Sequence, residues 1–195
     1  MLSRFRELAS LTHSHRIARR YFVTNGFDGV LAMLGLLMGF RGNPNTPPEV
    51  IVGACLGVSV ALFMSGLTSA YISESAEKRR ELRDLERSMV TDLDGSVYSR
   101  AARWMPLLIA AVNGLSPLLL SLLVIFPLFL SDYIELGISP LDAALGVSLI
   151  LVFLIGVYLG RISGRFWLWT GLRAVLIAIM TSIIIWMTQR VLAGQ

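Results

Sequence analysis

The chain has 195 residues, of which 55% are hydrophobic and only 15% charged, and its mean hydropathy is +0.69. A water-soluble domain carries roughly 25% charged residues, so this chain lacks the polar groups to cover a globular surface and its outside must largely meet lipid. The formal charge of +4 is confined to a few short stretches, which argues against nucleic-acid binding and reads instead as membrane topology. The single cysteine, Cys55, lies in an apolar run; one chain therefore has neither a disulfide framework nor a cysteine-based zinc site.

Residues 1–20 predict an N-terminal amphipathic helix at the membrane interface, because Leu2, Phe5, Leu8 and Ala9 recur at helical spacing beside Arg4, Arg6, Arg16 and Arg19. His13 and His15 stand two apart, on different faces of a helix, and do not form a metal pair. No small-residue cleavage site follows this polar segment, so no signal peptide is expected. A membrane domain over 21–195 comes next. Five stretches reach the roughly 20 apolar residues needed to cross about 30 Å of hydrocarbon: Tyr21 to Phe40, Val50 to Ser73, Trp104 to Leu130, Leu141 to Gly160 and Leu172 to Leu192. The expected fold is an all-α integral membrane protein with five transmembrane helices. Fifteen of the Lys and Arg residues fall in the N-terminal segment and the second and fourth connections, leaving only Arg41 and Arg190 for the other side. The positive-inside rule then puts the N-terminus in the cytoplasm and makes the chain a multi-pass protein of the cell membrane.

An ionisable group within a span costs about 2.5–3.5 kcal/mol near mid-membrane and asks for a partner. Asp28 is such a group, and it stacks with Ala32, Gly35 and Gly39 at helical spacing, a small-residue face suited to close helix packing. It is expected to point at a protein interface or a water-filled path; the competing expectation is a carboxylate that caps a helix start or pairs with Arg19 or Arg20. In the second span Gly53, Gly57, Ala61, Met64 and Thr68 share a face, and the Met64 thioether and Thr68 hydroxyl are candidate soft ligands for a passing metal ion, packing being the bland alternative. In the third span Pro117 cannot donate to the Asn113 carbonyl, so Asn113 and Ser116 are candidates to line a polar cavity, or else they mark a simple proline kink. Asp142 follows Ser139 and Pro140 and reads as an acid in the first turn of the fourth helix. Gly156, Gly160 and Gly164 suit helix packing.

The second span is expected to continue into the cytoplasm, because ESAEKRRELRDLERSM contains neither Gly nor Pro and is rich in helix formers. A helical cytoplasmic connection over 74–103 results. Along it Glu74, Glu77, Glu81 and Asp84 follow steps of three, four and three, so four carboxylates share one face. Oxygen ligands of this kind suit divalent ions such as Mn2+ and Fe2+ if a neighbouring helix or a second subunit completes the shell. The alternative is a solvated helix laced by Glu74–Lys78, Glu77–Arg80 and Arg80–Asp84 pairs.

NGFDG opening the first span, and SGLTSAYIS leading the second into an acidic helix, resemble the vacuolar iron transporter family, in particular its compact prokaryotic members with a short cytoplasmic connection. The resemblance implies a homodimer that carries Fe2+ or Mn2+ between the first spans of its subunits in exchange for protons, with the metal as cargo and no resident cofactor. It matches Asp28 to the family's first-span aspartate and Glu74, Glu77 and Glu81 to its metal-collecting glutamates. Gly66 and Ala70 stand where the family commonly has methionine and glutamate. The expected partners are thus the bilayer, divalent metal ions, protons and a second copy of the chain, with no nucleic acid. A non-transporting membrane interaction protein, with a charged helix that docks a partner, is the competing expectation. No catalytic constellation of Ser/His, Cys/His or HExxH type appears in the spans, so the chain is not expected to be an enzyme.

Overall fold

The computed structural model describes residues 14–43, 45–130, 137–164 and 166–193. They form five helices: α1 (Ser14–Arg41), α2 (Pro48–Met89), α3 (Val97–Leu130), α4 (Pro140–Ile162) and α5 (Trp167–Ala193). All five are long and apolar enough to cross a membrane, as hydrocarbon demands of a chain that must satisfy its backbone internally. The expected helical extension beyond the second span is present: α2 continues without a break for 42 residues, about 63 Å at 1.5 Å per residue. Residues 14–20 belong to α1 rather than to a separate interfacial helix; residues 1–13, including His13, lie outside the described residues.

The helix ends have identifiable causes. The Gln189 side chain donates to the Met38 and Gly39 carbonyls at 3.3 and 2.8 Å, satisfying two of the acceptors that α1 leaves at its C-terminus. At the end of α2, Val90 takes φ 52°, and the Thr91 amide reaches back to the Glu86 carbonyl at 3.3 Å, a left-handed stop that usually falls to glycine. Ser96 caps α3, its Oγ accepting from the Ser99 amide at 3.1 Å. Ser139 and Pro140 start α4 as expected, although the Ser139 side chain makes no capping bond. Asp142 lies in the first turn as expected and also pairs with Arg41 at 3.0 Å.

The described residues divide into two compact units, one of 14–25 with 63–116 and one of 26–62 with 117–193. The second unit holds the apolar core, in which Val30, Met33, Leu34 and Leu37 of α1 join Cys55, Val124, Ile125, Ala144, Val152 and Ala178. Glycines set its tightest contacts. A Cβ at Gly29 would lie 2.8 Å from Pro117, and one at Gly156 would lie 2.7 Å from the Ala174 Cβ and 2.9 Å from the Gly171 Cα. Gly160 likewise meets Thr170 and Trp167. Gly164, expected on the same packing face, instead occupies the turn after α4 with φ +66° and open space around it, a conformation that suits glycine for backbone reasons. Gly171, which meets Phe153 and Val157, takes its place in the α4/α5 contact. Guanidinium groups stack on tryptophans along α5: Arg173 on Trp169 at 5.9 Å and Arg190 on Trp186 at 4.6 Å.

A methyl group at Gly156 has backbone and a β-carbon in its way, so Gly156→Ala should destabilise the protein by about 1–3 kcal/mol. Thermal unfolding in detergent checks this, with Gly146→Ala, where nothing lies within 4 Å, as the near-neutral reference.

Candidate functional site

Pro117 leaves the Asn113 carbonyl without its helical donor, and Asn25 fills that role. The Asn25 amide nitrogen lies 3.3 Å from the Asn113 carbonyl and also donates to the Asn113 side-chain oxygen. The Asn113 amide nitrogen in turn donates to the Gly66 carbonyl at 2.7 Å, and the Ser116 hydroxyl donates to the Phe22 carbonyl. α1, α2 and α3 are therefore tied by side-chain amides where a simple apolar contact would give no direction. Close approach permits this. A Cβ on Gly66 would meet the Asn113 carbonyl at 3.1 Å and the Asn25 amide at 3.2 Å, and one on Gly114 would meet the Phe63 carbonyl at 2.8 Å. Asn113 is buried and its amide is engaged at both ends. Asn25 was not among the sequence candidates; the clue available was an asparagine within an apolar stretch, with a proline four residues after a second asparagine.

The pathway candidates take different positions. Asp28 sits midway along α1 and is exposed, with no hydrogen bond or ion pair among the described residues. The expected pairing with Arg19 or Arg20 is not formed among the described residues; Arg20 stacks on Tyr21 instead, at 5.7 Å. The small residues aligned with Asp28 diverge from it in environment, since a Cβ on Gly35 would lie 3.3 Å from Ile185 and one on Gly39 would lie 3.9 Å from Gln189. On α2, Gly53, Gly57, Ala61, Met64 and Thr68 are all exposed, and nothing lies within 4 Å of a Cβ built on Gly53 or Gly57. The stripe is open along its length.

The four carboxylates of the α2 extension separate into two environments. Glu74 is buried, and one of its oxygens has no hydrogen-bond partner; the Tyr21 hydroxyl lies against this carboxylate. Glu77, Glu81 and Asp84 are exposed and line a shallow groove with Ser73, Ala76 and Arg80. Cations already attend two of them: Lys78 pairs with Glu81 at 2.6 Å, while Arg80 and Arg87 lie 3.9 and 3.8 Å from Asp84. Of the anticipated pairs only Arg80–Asp84 is present among the described residues, and the Lys78 ammonium, itself buried, turns toward Glu81 rather than Glu74. No three His, Cys, Asp or Glu side chains converge on a metal position among the described residues.

No family model matches the chain. It is 28% identical over 174 residues to the uncharacterized protein MJ0645 of Methanocaldococcus jannaschii, with 88% of each chain covered. The likeness extends over nearly the whole sequence and brings no assigned activity.

Removing the Asn25 amide strands the Asn113 carbonyl, so Asn25→Ala should cost about 1–2 kcal/mol. Gly66→Met should be at least as damaging because the Asn113 and Gly114 backbone atoms occupy the space. Equal thermal stability of either variant and the wild type, measured in the same detergent, would overturn this account of the amide cluster.

Proposed function

We propose that the protein carries a divalent transition metal, Fe2+ or Mn2+, across the cell membrane as a homodimer in exchange for protons. The supporting observation is Asp28, an exposed carboxylate midway along an apolar helix with no partner among the described residues. A carboxylate held near hydrocarbon is neutralised either by a proton or by a cation, and alternation between those states is the chemistry of antiport. Met64 and Thr68 offer softer ligands on the open face of α2. Glu77, Glu81 and Asp84, with Glu74 nearby in sequence, would collect metal at the cytoplasmic side, the orientation being that of the positive-inside rule. Among the described residues no three His, Cys, Asp or Glu side chains of one chain gather at a point, so this reading has the second subunit complete the shell. The open stripe at Gly53 and Gly57 suits that subunit, because small residues let helices approach closely.

A second reading, a non-transporting membrane protein whose charged α2 extension docks a partner, is favoured by the ion pairs already formed at Glu81 and Asp84. Those pairs occupy Glu81 and Asp84 with cations of the same helix.

The readings separate in proteoliposomes. Under antiport, metal uptake is accompanied by proton movement, and Asp28→Asn should reduce uptake to less than about a tenth of the wild-type rate, while Asp142→Asn, at an ion pair, leaves the rate within about twofold. Undiminished uptake by the Asp28→Asn protein would sink the proposal. Gly53→Leu with Gly57→Leu tests the dimer: nothing lies within 4 Å of a Cβ on either glycine, so folding should persist while cross-linked dimer is lost.

A further inference from the structure

The cytoplasmic part of α2 and the first turns of α3 enclose a polar groove of about 600 Å³, within the roughly 300–1,000 Å³ of ordinary ligand sites. Tyr71, Arg79 and Glu86 line it from α2, Asp92 and Asp94 from the turn, and Arg103 from α3. The turn is built by its own hydrogen bonds. The Asp92 carboxylate accepts from the Asp94 amide at 2.8 Å, and the Glu86 carboxylate accepts from the Leu93 amide at 3.3 Å. Arg103 is matched to Asp94 at 3.4 Å. Arg79 has no carboxylate partner among the described residues, and Glu86 and Asp92 have only backbone amides. The groove thus holds one unmatched cation and, farther along, two carboxylates with no counter-cation.

That charge order selects the ligand. A purely anionic group at Arg79 would face three carboxylates against two guanidinium groups, and a simple cation would leave Arg79 unsatisfied. A group with a phosphate at one end and a primary ammonium at the other satisfies both. The location selects the source. Tyr71 belongs to the last turn before Glu74, the first charged residue after the apolar stretch, so one end of the groove is level with the edge of the hydrocarbon. Side chains on a helix lean toward its N-terminus, which inclines Arg79 back toward Tyr71. The exposed Trp104 beside Arg103 is a residue that favours this interfacial level.

We infer that the groove binds the headgroup of an aminophospholipid of the phosphatidylethanolamine type, its phosphate on Arg79 and its ammonium toward Glu86 and Asp92. This site is independent of the transport proposal, since it shares no residue with the pathway or the acidic face.

The test is lipid retention by the full-length protein in native mass spectrometry, with phosphatidylethanolamine, phosphatidylcholine and phosphatidylglycerol of identical acyl chains. Phosphatidylethanolamine should be retained at several-fold lower concentration than the other two: the methylated ammonium of phosphatidylcholine has no N–H to donate, and phosphatidylglycerol has no cation. Arg79→Gln and Asp92→Asn alter exposed side chains and should each abolish the preference while leaving the helical circular dichroism unchanged. Equal retention of the three lipids, or a preference that survives both substitutions, overturns the inference. Soluble phosphoethanolamine separates the sources. Displacement of the lipid only at millimolar concentration supports a membrane lipid as the occupant, whereas saturation at micromolar concentration would overturn it in favour of a free metabolite.

Discussion

The carbonyl of Asn113 has lost its helical donor to Pro117, and hydrocarbon supplies no water to replace it. The Asn25 amide restores the bond, and the cost of doing without it is what makes the contact between α1 and α3 directional. Apolar side chains in lipid gain little by choosing one another over acyl chains. Three helices that must find one register therefore rely on polar atoms with a single satisfactory arrangement, and the glycines at 66 and 114 exist to let those atoms reach.

The same economy explains how much of the protein can be read from its sequence. Apolar length alone locates all five helices, and the absence of Gly or Pro after Ser73 foretells the long α2. Which glycine does what is another matter. Gly156 and Gly160 pack as their spacing indicates, yet Gly164 sits in a turn and Gly171 takes the contact, because periodicity does not mark where a helix stops and reverses. Asn25 escapes a reading that weighs formal charge, since its importance arises only from a carbonyl 88 residues away. Gln189 is hidden for the same reason: its two acceptors belong to the end of α1.

Charge in this molecule has two characters. On the α2 extension, Arg80 and Arg87 attend Asp84 at the surface in the ordinary way, while Glu81 is held by the buried Lys78. The periodic acidic face foreseen from sequence divides accordingly, Glu74 turning inward where Tyr21 meets it while the others remain outside. Asp28 has no comparable attendant among the described residues. A carboxylate near hydrocarbon that no group of its own chain neutralises among the described residues favours the transport proposal over its alternative and calls for a second subunit.

The stacked pairs on α5 carry a consequence for the host bilayer. Trp169 and Trp186 are 17 residues apart, as are Arg173 and Arg190, a separation of about 25 Å along the axis. Aromatic rings and snorkelling guanidinium groups prefer the headgroup level, so these two collars act as a gauge for membrane thickness. A much thicker bilayer would force the collars into acyl chains or thin around them, at a cost of fractions of a kcal/mol per Å. Mismatch of that size is enough to sort the protein among membranes that differ in depth.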